Sequence, residues 1–372
     1  MMNKVASEVI ANLLNEFHIA IKRNDADLAT QLFKRCKLSF DNMEEDQNVL
    51  VYFSLLEERY RMMMYDTKGE ELPESKKYKK DQMDHIRKTN DMIDYYFHFY
   101  EAMYESYKKN YEKAISLFKI AEKQLSKIPD EIEVAEFYSK VASMYMHIHQ
   151  SVVSLGYINE AIAIYKRHED YKRRLASSLV VLATNYTHIG RYEDAEAQLF
   201  MAIDIARELN DGFFEAMQFH NMSIVYSAAN RSHECLNALK RAIREDSWRK
   251  SKYHIRSIYM LAKEYFKIGQ KDTAIYYSKK GIEVLKEKGN KIYEAKINII
   301  YSLYTARDTS KSIDKCRNNI RYLENRNDLD GAYELSLIIS KYYEKERDYK
   351  EAVEFAHKAI DIENKMKNLE GS

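Results

Sequence analysis

Three stripes of apolar residues follow one another over the first 66 residues, each at helical spacing. The stripes are Ile10, Leu13, Leu14, Phe17 and Ile21; Leu28, Leu32, Cys36 and Phe40; and Val49, Tyr52, Phe53, Leu56, Tyr60, Met63 and Met64. Apolar residues three, four and seven positions apart lie on one face of a helix, and Asn24 and Asp25 mark a break between the first two stripes. The pattern predicts a three-helix bundle at residues 1–66, which we call the head.

Residues 67–94 separate the head from the rest of the chain and differ from both in amino-acid composition. Within this segment, TKGEELPESKKYKKDQ, residues Thr67–Gln82, contains Pro73 and little apolar material. Such a segment is typical of a mobile linker. We therefore expect a loosely attached head that can change its position.

A second pattern recurs seven times after the linker: an aromatic-rich helix, then a small residue in a similar setting. The small residues are Ala114, Ala161, Ala195, Cys235, Ala274, Ser312 and Ala352. Their spacings of 34 to 47 residues resemble the tetratricopeptide repeat, a helix hairpin of about 34 residues. The resemblance predicts an all-α protein in which the head is followed, at residues 95–372, by a right-handed superhelix of about seven repeats, whose concave face suits an extended peptide.

Composition supports helices and excludes several other classes of protein. Nine glycines and two prolines are far below the usual shares of about 7% and 5%. The net charge of +1 gives no overall attraction to nucleic acid or an anionic membrane. The three cysteines match neither a disulfide framework nor a zinc pattern, and no apolar run approaches the roughly 18 residues of a membrane span. We expect a cytoplasmic protein.

Motifs of self-contained enzyme chemistry are absent from the sequence. There is no glycine-rich phosphate loop, no G-x-S-x-G and no H-E-x-x-H. His147 and His149 are two residues apart, so on a helix they point in different directions and cannot share a metal ion. We expect no cofactor or metal of the protein's own.

Three passages carry a resemblance to a known family: MEEDQNVLVYFSLLEERY in the head, DEIEVAEFYSKVA and FHNMSIVYSAAN in the repeats. With the head, the charged linker and seven repeats, the chain resembles the Rap family of Bacillus, the response regulator aspartate phosphatases and their relatives. The resemblance implies binding to a response regulator, on its receiver or its DNA-binding domain. It also implies control by Phr peptides, short secreted and re-imported peptides that bind in the repeat groove and draw the head against the repeats.

The resemblance implies a catalytic role for Gln47, the last residue of MEEDQ. A carboxamide can position a water molecule for attack on an aspartyl phosphate without adding negative charge, while the receiver supplies the divalent metal ion. The alternative from the residues alone is an ordinary helix start, with Asp46 as its cap and Glu44 and Glu45 solvated. Both interpretations stay open.

Three further residues are predicted to bind the target. Leu50, like Val51, Leu55 and Met62, lies off the main stripe of its helix, so these residues either dock a receiver helix or pack against the repeats. Glu133 and Glu136 are predicted to form a second patch, although acidic residues on repeat helices are usually only solvated.

Four residues are predicted to bind the peptide. Asn221 matches the asparagine that bonds the peptide backbone in this family, and an amide can both donate to and accept from a peptide group. Asn221 and Asn298 both stand 14 residues before their repeat's small residue, whereas Asn185 lies one turn further along its helix. His188 replaces the acidic residue of many relatives, which favours a less basic peptide or pH-dependent recognition. The alternative is that the asparagines bond their own repeats.

Two functions remain in competition on sequence grounds. The first is a phosphatase acting on a phosphorylated receiver domain. The second is a non-catalytic binder that sequesters a regulator's DNA-binding domain, because YFSLLE and YKRRLASSLV resemble the subgroup that acts on DegU. A peptide-regulated transcription factor is disfavoured, since the head turns acidic where a recognition helix would contact phosphates.

Overall fold

The computed structural model describes residues 7–40, 46–72, 91–305 and 309–368. These residues form eighteen α-helices and no β-strand. The head consists of α1 (Ser7–Arg23), α2 (Ala26–Phe40) and α3 (Gln47–Thr67). Met43, Glu44 and Glu45 lie outside the described residues, as does the linker from Pro73 onward.

Seven helix hairpins follow the head, which confirms the predicted all-α repeat fold. They are α4 (Asp91–Tyr107) with α5 (Tyr111–Leu125), α6 (Glu131–His147) with α7 (Ser151–Tyr165), α8 (Lys172–His188) with α9 (Tyr192–Glu208), α10 (Gly212–Ala228) with α11 (Ser232–Ala242), α13 (His254–Lys267) with α14 (Lys271–Lys288), α15 (Lys291–Thr305) with α16 (Thr309–Asn325), and α17 (Leu329–Lys345) with α18 (Tyr349–Lys367). The small residue of every repeat is buried, as a close crossing of the two helices would require.

The hairpin turns explain how the fold needs so few glycines. Lys109, His149, Asn230 and Arg347 occupy the turns of four hairpins with φ between 58° and 62°. This left-handed conformation lets the backbone reverse after a helix, and non-glycine residues adopt it only at single positions.

One element interrupts the repeat pattern: the short helix α12 (Asp246–Lys250) lies between the fourth and fifth hairpins. It places Trp248, the only tryptophan of the sequence, in a buried cluster with Ala216, Ala242 and Tyr253. The Trp248 indole N–H donates to Ser257 Oγ at 3.1 Å. The repeat period does not predict this insertion.

The head has a core of its own, built largely from the three predicted stripes. Phe17 packs against Phe33 and Tyr60, with ring centroids 5.9 and 5.6 Å away. Leu28 is an exception, because it is 40% exposed and its neighbour Ala29 is buried instead. At this position α2 therefore turns Ala29, and not Leu28, towards the core of the head.

The chain divides into two compact units. The first contains the described residues up to Met144 together with Leu155–Ser178, and so includes the head. The second contains Tyr145–Ser154 and the residues from Leu179 onward. The predicted domain boundaries at 66 and 95 stay a prediction. No helix in the described part of the chain is long and apolar enough to cross a membrane.

Candidate functional site

Gln47 is the first residue of α3 and its side chain is exposed. Asp46 caps the helix: its Oδ1 accepts from the backbone N–H groups of Asn48 at 2.9 Å and Val49 at 3.3 Å. Such a cap typically stabilises a helix by about 0.5–2 kcal/mol. The cap holds the start of α3 in place, so the Gln47 carboxamide is presented to solvent from an ordered backbone.

Leu50 lies one turn beyond Gln47 and is 40% exposed. By contrast, Leu55 and Met62 are buried, although all three were predicted from the same off-stripe pattern. On the side of α3 that carries these three residues, the exposed part is therefore confined to the start of the helix. There, the apolar Leu50 side chain stands beside the neutral Gln47 carboxamide, and the cores of protein–protein interfaces are likewise poor in charged residues.

Glu136, which was predicted to bind the target, is 3% exposed in this structure, and its binding of a target stays a prediction. Arg59 of α3 donates to Glu136 Oε1 from its Nη2, and from its Nε at 3.1 Å. Arg174 Nη2 of α8 lies 3.3 Å from the same oxygen. Burial alone would raise the pKa of Glu136, but the two guanidinium groups lower it to about 2.

Arg174 also joins the head to the repeats through the backbone of α1. Its Nε donates to the carbonyl of Lys22 at 2.8 Å, and its Nη2 donates to the carbonyl of Ile21 at 2.9 Å. These carbonyls belong to the last turn of α1, whose groups have no partner within the helix. A cation at this end also interacts favourably with the helix dipole.

Glu133 is likewise buried rather than exposed, at 1%. Its Oε1 lies 3.1 Å from His18 Nε2 and 3.5 Å from Lys22 Nζ, both on α1. The other ring nitrogen of His18, Nδ1, is 2.9 Å from the Tyr52 hydroxyl. Since both acids are covered by the head, neither is available to another protein in this structure.

The head, which was predicted to be loosely attached, is docked in this structure, and its movement stays a prediction. Polar contacts of α1 and α3 with α6 and α8 fix the head within the first unit, most of them away from water. Sequence reasoning missed Arg59, although a signal was present. Leu55, Arg59 and Met62 are four and three residues apart, so Arg59 stands in the middle of a second apolar face, where a charge needs a buried partner.

Acid should weaken the contact between head and repeats. The pKa of Glu136 is lowered from 4.5 to about 2, so its contribution to the free energy of unfolding is fully present above pH 4.5 and is lost as the pH falls toward 2. We expect urea unfolding at pH 7 and pH 3.5 to show this loss. Glu136→Gln serves as the comparison, because the variant should show a smaller difference between the two pH values.

Asn185 lies inside the second unit, fully buried. Its Nδ2 donates to Ser154 Oγ at 2.7 Å and to the carbonyl of Val181 at 3.0 Å. The side chain thus bonds its own repeats, as the alternative interpretation proposed. Its Oδ1 has no hydrogen-bond partner among the described residues, and peptide binding by Asn185 stays a prediction.

Asn221 and Asn298 are half-buried, on α10 and α15. Asn221 Nδ2 donates to Gln218 Oε1 at 3.3 Å, and its Oδ1 makes no hydrogen bond with any described residue. The Asn298 amide makes no hydrogen bond within the described part of the chain either. Both side chains therefore keep hydrogen-bonding groups for a peptide.

His188, at the end of α8, stacks on His149 with ring centroids 4.2 Å apart and planes at 6°. The surrounding protein atoms and the neighbouring His149 ring lower the pKa of His188 to about 4. The imidazole is consequently neutral at pH 7. In this structure one face of the ring is covered by His149 rather than open to a peptide.

The described residues contain no group of three or more His, Cys, Asp or Glu side chains arranged to hold a metal ion. The candidate residues form two arrangements. In the first unit, Gln47 carries an exposed carboxamide at a capped helix start. In the second unit, Asn221 and Asn298 lie on the first helices of their hairpins and keep amide atoms that have no partner among the described residues. The first arrangement can position a small polar group, and the second can bind a peptide backbone.

Comparison with known proteins gives consistent matches over the whole chain. A family model, RapH_N (response regulator aspartate phosphatase H, N terminal), matches residues 4–65. The chain is 46% identical over 370 residues to regulatory protein RapK of Bacillus subtilis (strain 168), covering 100% of both chains. It is 38% identical to regulatory protein RapG of the same strain, covering 99% and 100%. Identity to response regulator aspartate phosphatase I is 27%, covering 99% and 94%.

A solved structure is similar over nearly the same length. The crystal structure of a Rap protein complexed with competence and sporulation factor has a TM-score of 0.86 and 29% identity, covering 97% of this chain and 99% of that one.

Proposed function

Since the chain belongs to the Rap family, we propose that it is a cytoplasmic regulator that binds a response regulator and is released from it by a Phr-type peptide. In the first form of the proposal it dephosphorylates the receiver domain. The observation that carries this form is the exposed carboxamide of Gln47 at the capped start of α3. Leu50 beside it supplies an apolar contact for the receiver.

The chemistry needs little from the protein beyond positioning. The oxygen of a water molecule forms a bond to phosphorus as the bond between phosphorus and the aspartyl oxygen breaks, which yields phosphate and a free carboxylate. The receiver's metal ion, which belongs to the partner, balances the charge on the phosphoryl oxygens. The Gln47 amide accepts from the water and donates to the phosphoryl group, which fixes the line of attack.

The docked head supplies a means of control. Glu133 and Glu136 are predicted to bind the target, and both are covered by α1 and α3 in this structure. We propose that the peptide favours this docked arrangement, in which the acids face Lys22, His18 and Arg59 instead of a regulator. A regulator would then compete with the head for the same two carboxylates.

A second candidate function is sequestration of the DNA-binding domain of a DegU-like regulator. The observation in its favour is the order of the identities. RapK and RapG, named regulatory proteins, are 46% and 38% identical, whereas response regulator aspartate phosphatase I is 27% identical. In this form Gln47 marks a docking surface and performs no chemistry.

The peptide would bind along the second unit, where the Asn221 Oδ1 and the Asn298 amide have no hydrogen-bond partner among the described residues. The test is capture of response regulators from the host on the immobilised full chain, with and without acetyl phosphate, followed by elution with synthetic host Phr peptides. We expect one regulator to be captured and then released by one peptide. Asn221→Ala should capture the regulator equally well and release it at least tenfold less readily. Failure to capture any regulator would contradict the proposal.

A further inference from the structure

A contact in the second unit joins residues that are very far apart in the sequence. His149, in the turn of the second hairpin, has its Nε2 3.0 Å from Asp330 Oδ1 at the start of α17. The adjacent Gln150 donates from Nε2 to the carbonyl of Lys367, at the end of α18, at 3.3 Å. The second hairpin thus touches both helices of the seventh.

Repeat arrays do not ordinarily make such contacts. In a stack of hairpins each repeat contacts only its neighbours, and the seventh hairpin follows the sixth. A contact between the second and the seventh therefore joins hairpins that are not stacked on each other in the order of the chain.

His149 occupies the left-handed position of its hairpin turn. Its φ of 60° is shared by the turns of other hairpins, and histidine, like asparagine, adopts this conformation more often than most non-glycine residues. Asn230 occupies the equivalent turn of the fourth hairpin with φ 58°. The turn itself does not need an imidazole, so the side chain must be explained by what it contacts.

The imidazole is held on three sides. Its Nε2 faces Asp330, one ring face stacks on His188 at 4.2 Å, and the ring of Tyr333 lies 6.3 Å away at 69°. A ring in this position fixes the end of α8 and the start of α17 at the same time. Two further titratable groups act on its partners: His147 on α6 acts on His188, and Lys296 on α15 acts on Asp330.

We propose that His149, Gln150, Asp330 and the Lys367 carbonyl form a clasp that joins the second hairpin to the seventh, and that the clasp sets how long a peptide stays bound to the second unit. The joining role rests on the contacts alone. The role in peptide retention rests on the proposed function. His149 and Asp330 act as positioning residues, since neither needs to touch the peptide.

The test follows hydrogen exchange in the full chain without added ligand. In His149→Asn, which keeps a residue that tolerates the turn, amides in the first turn of α17, residues 332–335, should exchange about two- to fivefold faster, as expected for the loss of one partly exposed side-chain hydrogen bond. In Asp330→Asn, the amides of Gln150 and Ser154 should change similarly. The double variant should exchange no faster than either single variant.

Arg347→Asn is the matched control, because Arg347 occupies the same turn of the seventh hairpin with φ 61° and its side chain is exposed. This control should leave both sites unchanged. If His149→Asn accelerates exchange only within its own turn, the residue has a local structural role and the clasp is refuted.

A second readout is the dissociation rate of labelled competence and sporulation factor, the peptide in the related complex. Both clasp variants should release it about two- to fivefold faster than the parent protein. Equal rates would refute the role in retention. If the unaltered protein does not bind this peptide, the proposed control by this peptide is refuted. The exchange result still decides whether the clasp exists.

Discussion

Gln47→Ala should slow phosphate release from a phosphorylated receiver domain about 100-fold, the loss expected when a reacting group is no longer positioned. The carboxamide is exposed and makes no hydrogen bond to any described residue, so the free energy of unfolding should change by less than about 0.5 kcal/mol. The measurement is phosphate release from the captured regulator after treatment with acetyl phosphate. Urea unfolding of the same preparation establishes that the variant is folded.

Two variants sharpen this result. Asn48→Ala alters the next exposed residue of α3 and should leave the rate unchanged. Gln47→Glu places a negative charge opposite the phosphoryl group and should be about as slow as Gln47→Ala. Full activity of Gln47→Ala would contradict a catalytic role. If the unaltered protein does not accelerate hydrolysis, yet Gln47→Ala still removes the regulator from its promoter in a gel-shift assay, the sequestering function is the correct one.

Glu136→Ala should destabilise the docked head by about 3–5 kcal/mol, since it leaves the buried guanidinium groups of Arg59 and Arg174 without their carboxylate. The head can respond by leaving its position, so hydrogen exchange in α3 should rise together with a lower urea midpoint. Under the proposed control mechanism the peptide should no longer change the amount of regulator captured, and that amount should be lower than for the unaltered protein because Glu136 is itself predicted to bind the target. Regulator capture with and without peptide measures this effect.

The matched control is Glu344→Ala, which removes an exposed glutamate from the first helix of the last hairpin. It should change the free energy of unfolding by less than about 0.5 kcal/mol. Glu136→Gln keeps the volume and removes only the charge, so it separates electrostatic loss from loss of packing. An exchange profile of Glu136→Ala identical to that of the control would show that the ion pairs do not hold the head.

Much of the fold was predictable because it repeats. One small residue per hairpin, from Ala114 to Ala352, marks a close helix crossing, and the same steric requirement recurs in all seven hairpins. The start of α3 was predictable for a similar reason, since an N-cap such as Asp46 acts within one helical turn.

Other features depended on partners that local patterns do not identify. Leu55 and Met62 fitted either a docking surface or packing, and only the positions of the other helices of the first unit show that they are packed. Asn185 looked like a groove residue by its type, but Ser154 of the preceding repeat lies close enough to bond it. Trp248 required an extra short helix that lies outside the repeat period.

The sequence by itself determined the all-α architecture, the seven hairpins and the capped helix that presents Gln47, because each depends on residues within one or two helical turns or one repeat. The tertiary structure alone decided that Glu133 and Glu136 are buried beneath the head and that His149 reaches Asp330. Whether a charged side chain is solvated or buried in an ion pair depends on which distant helix covers it. For Glu136 the covering residues are 77 positions before it, at Arg59, and 38 after it, at Arg174.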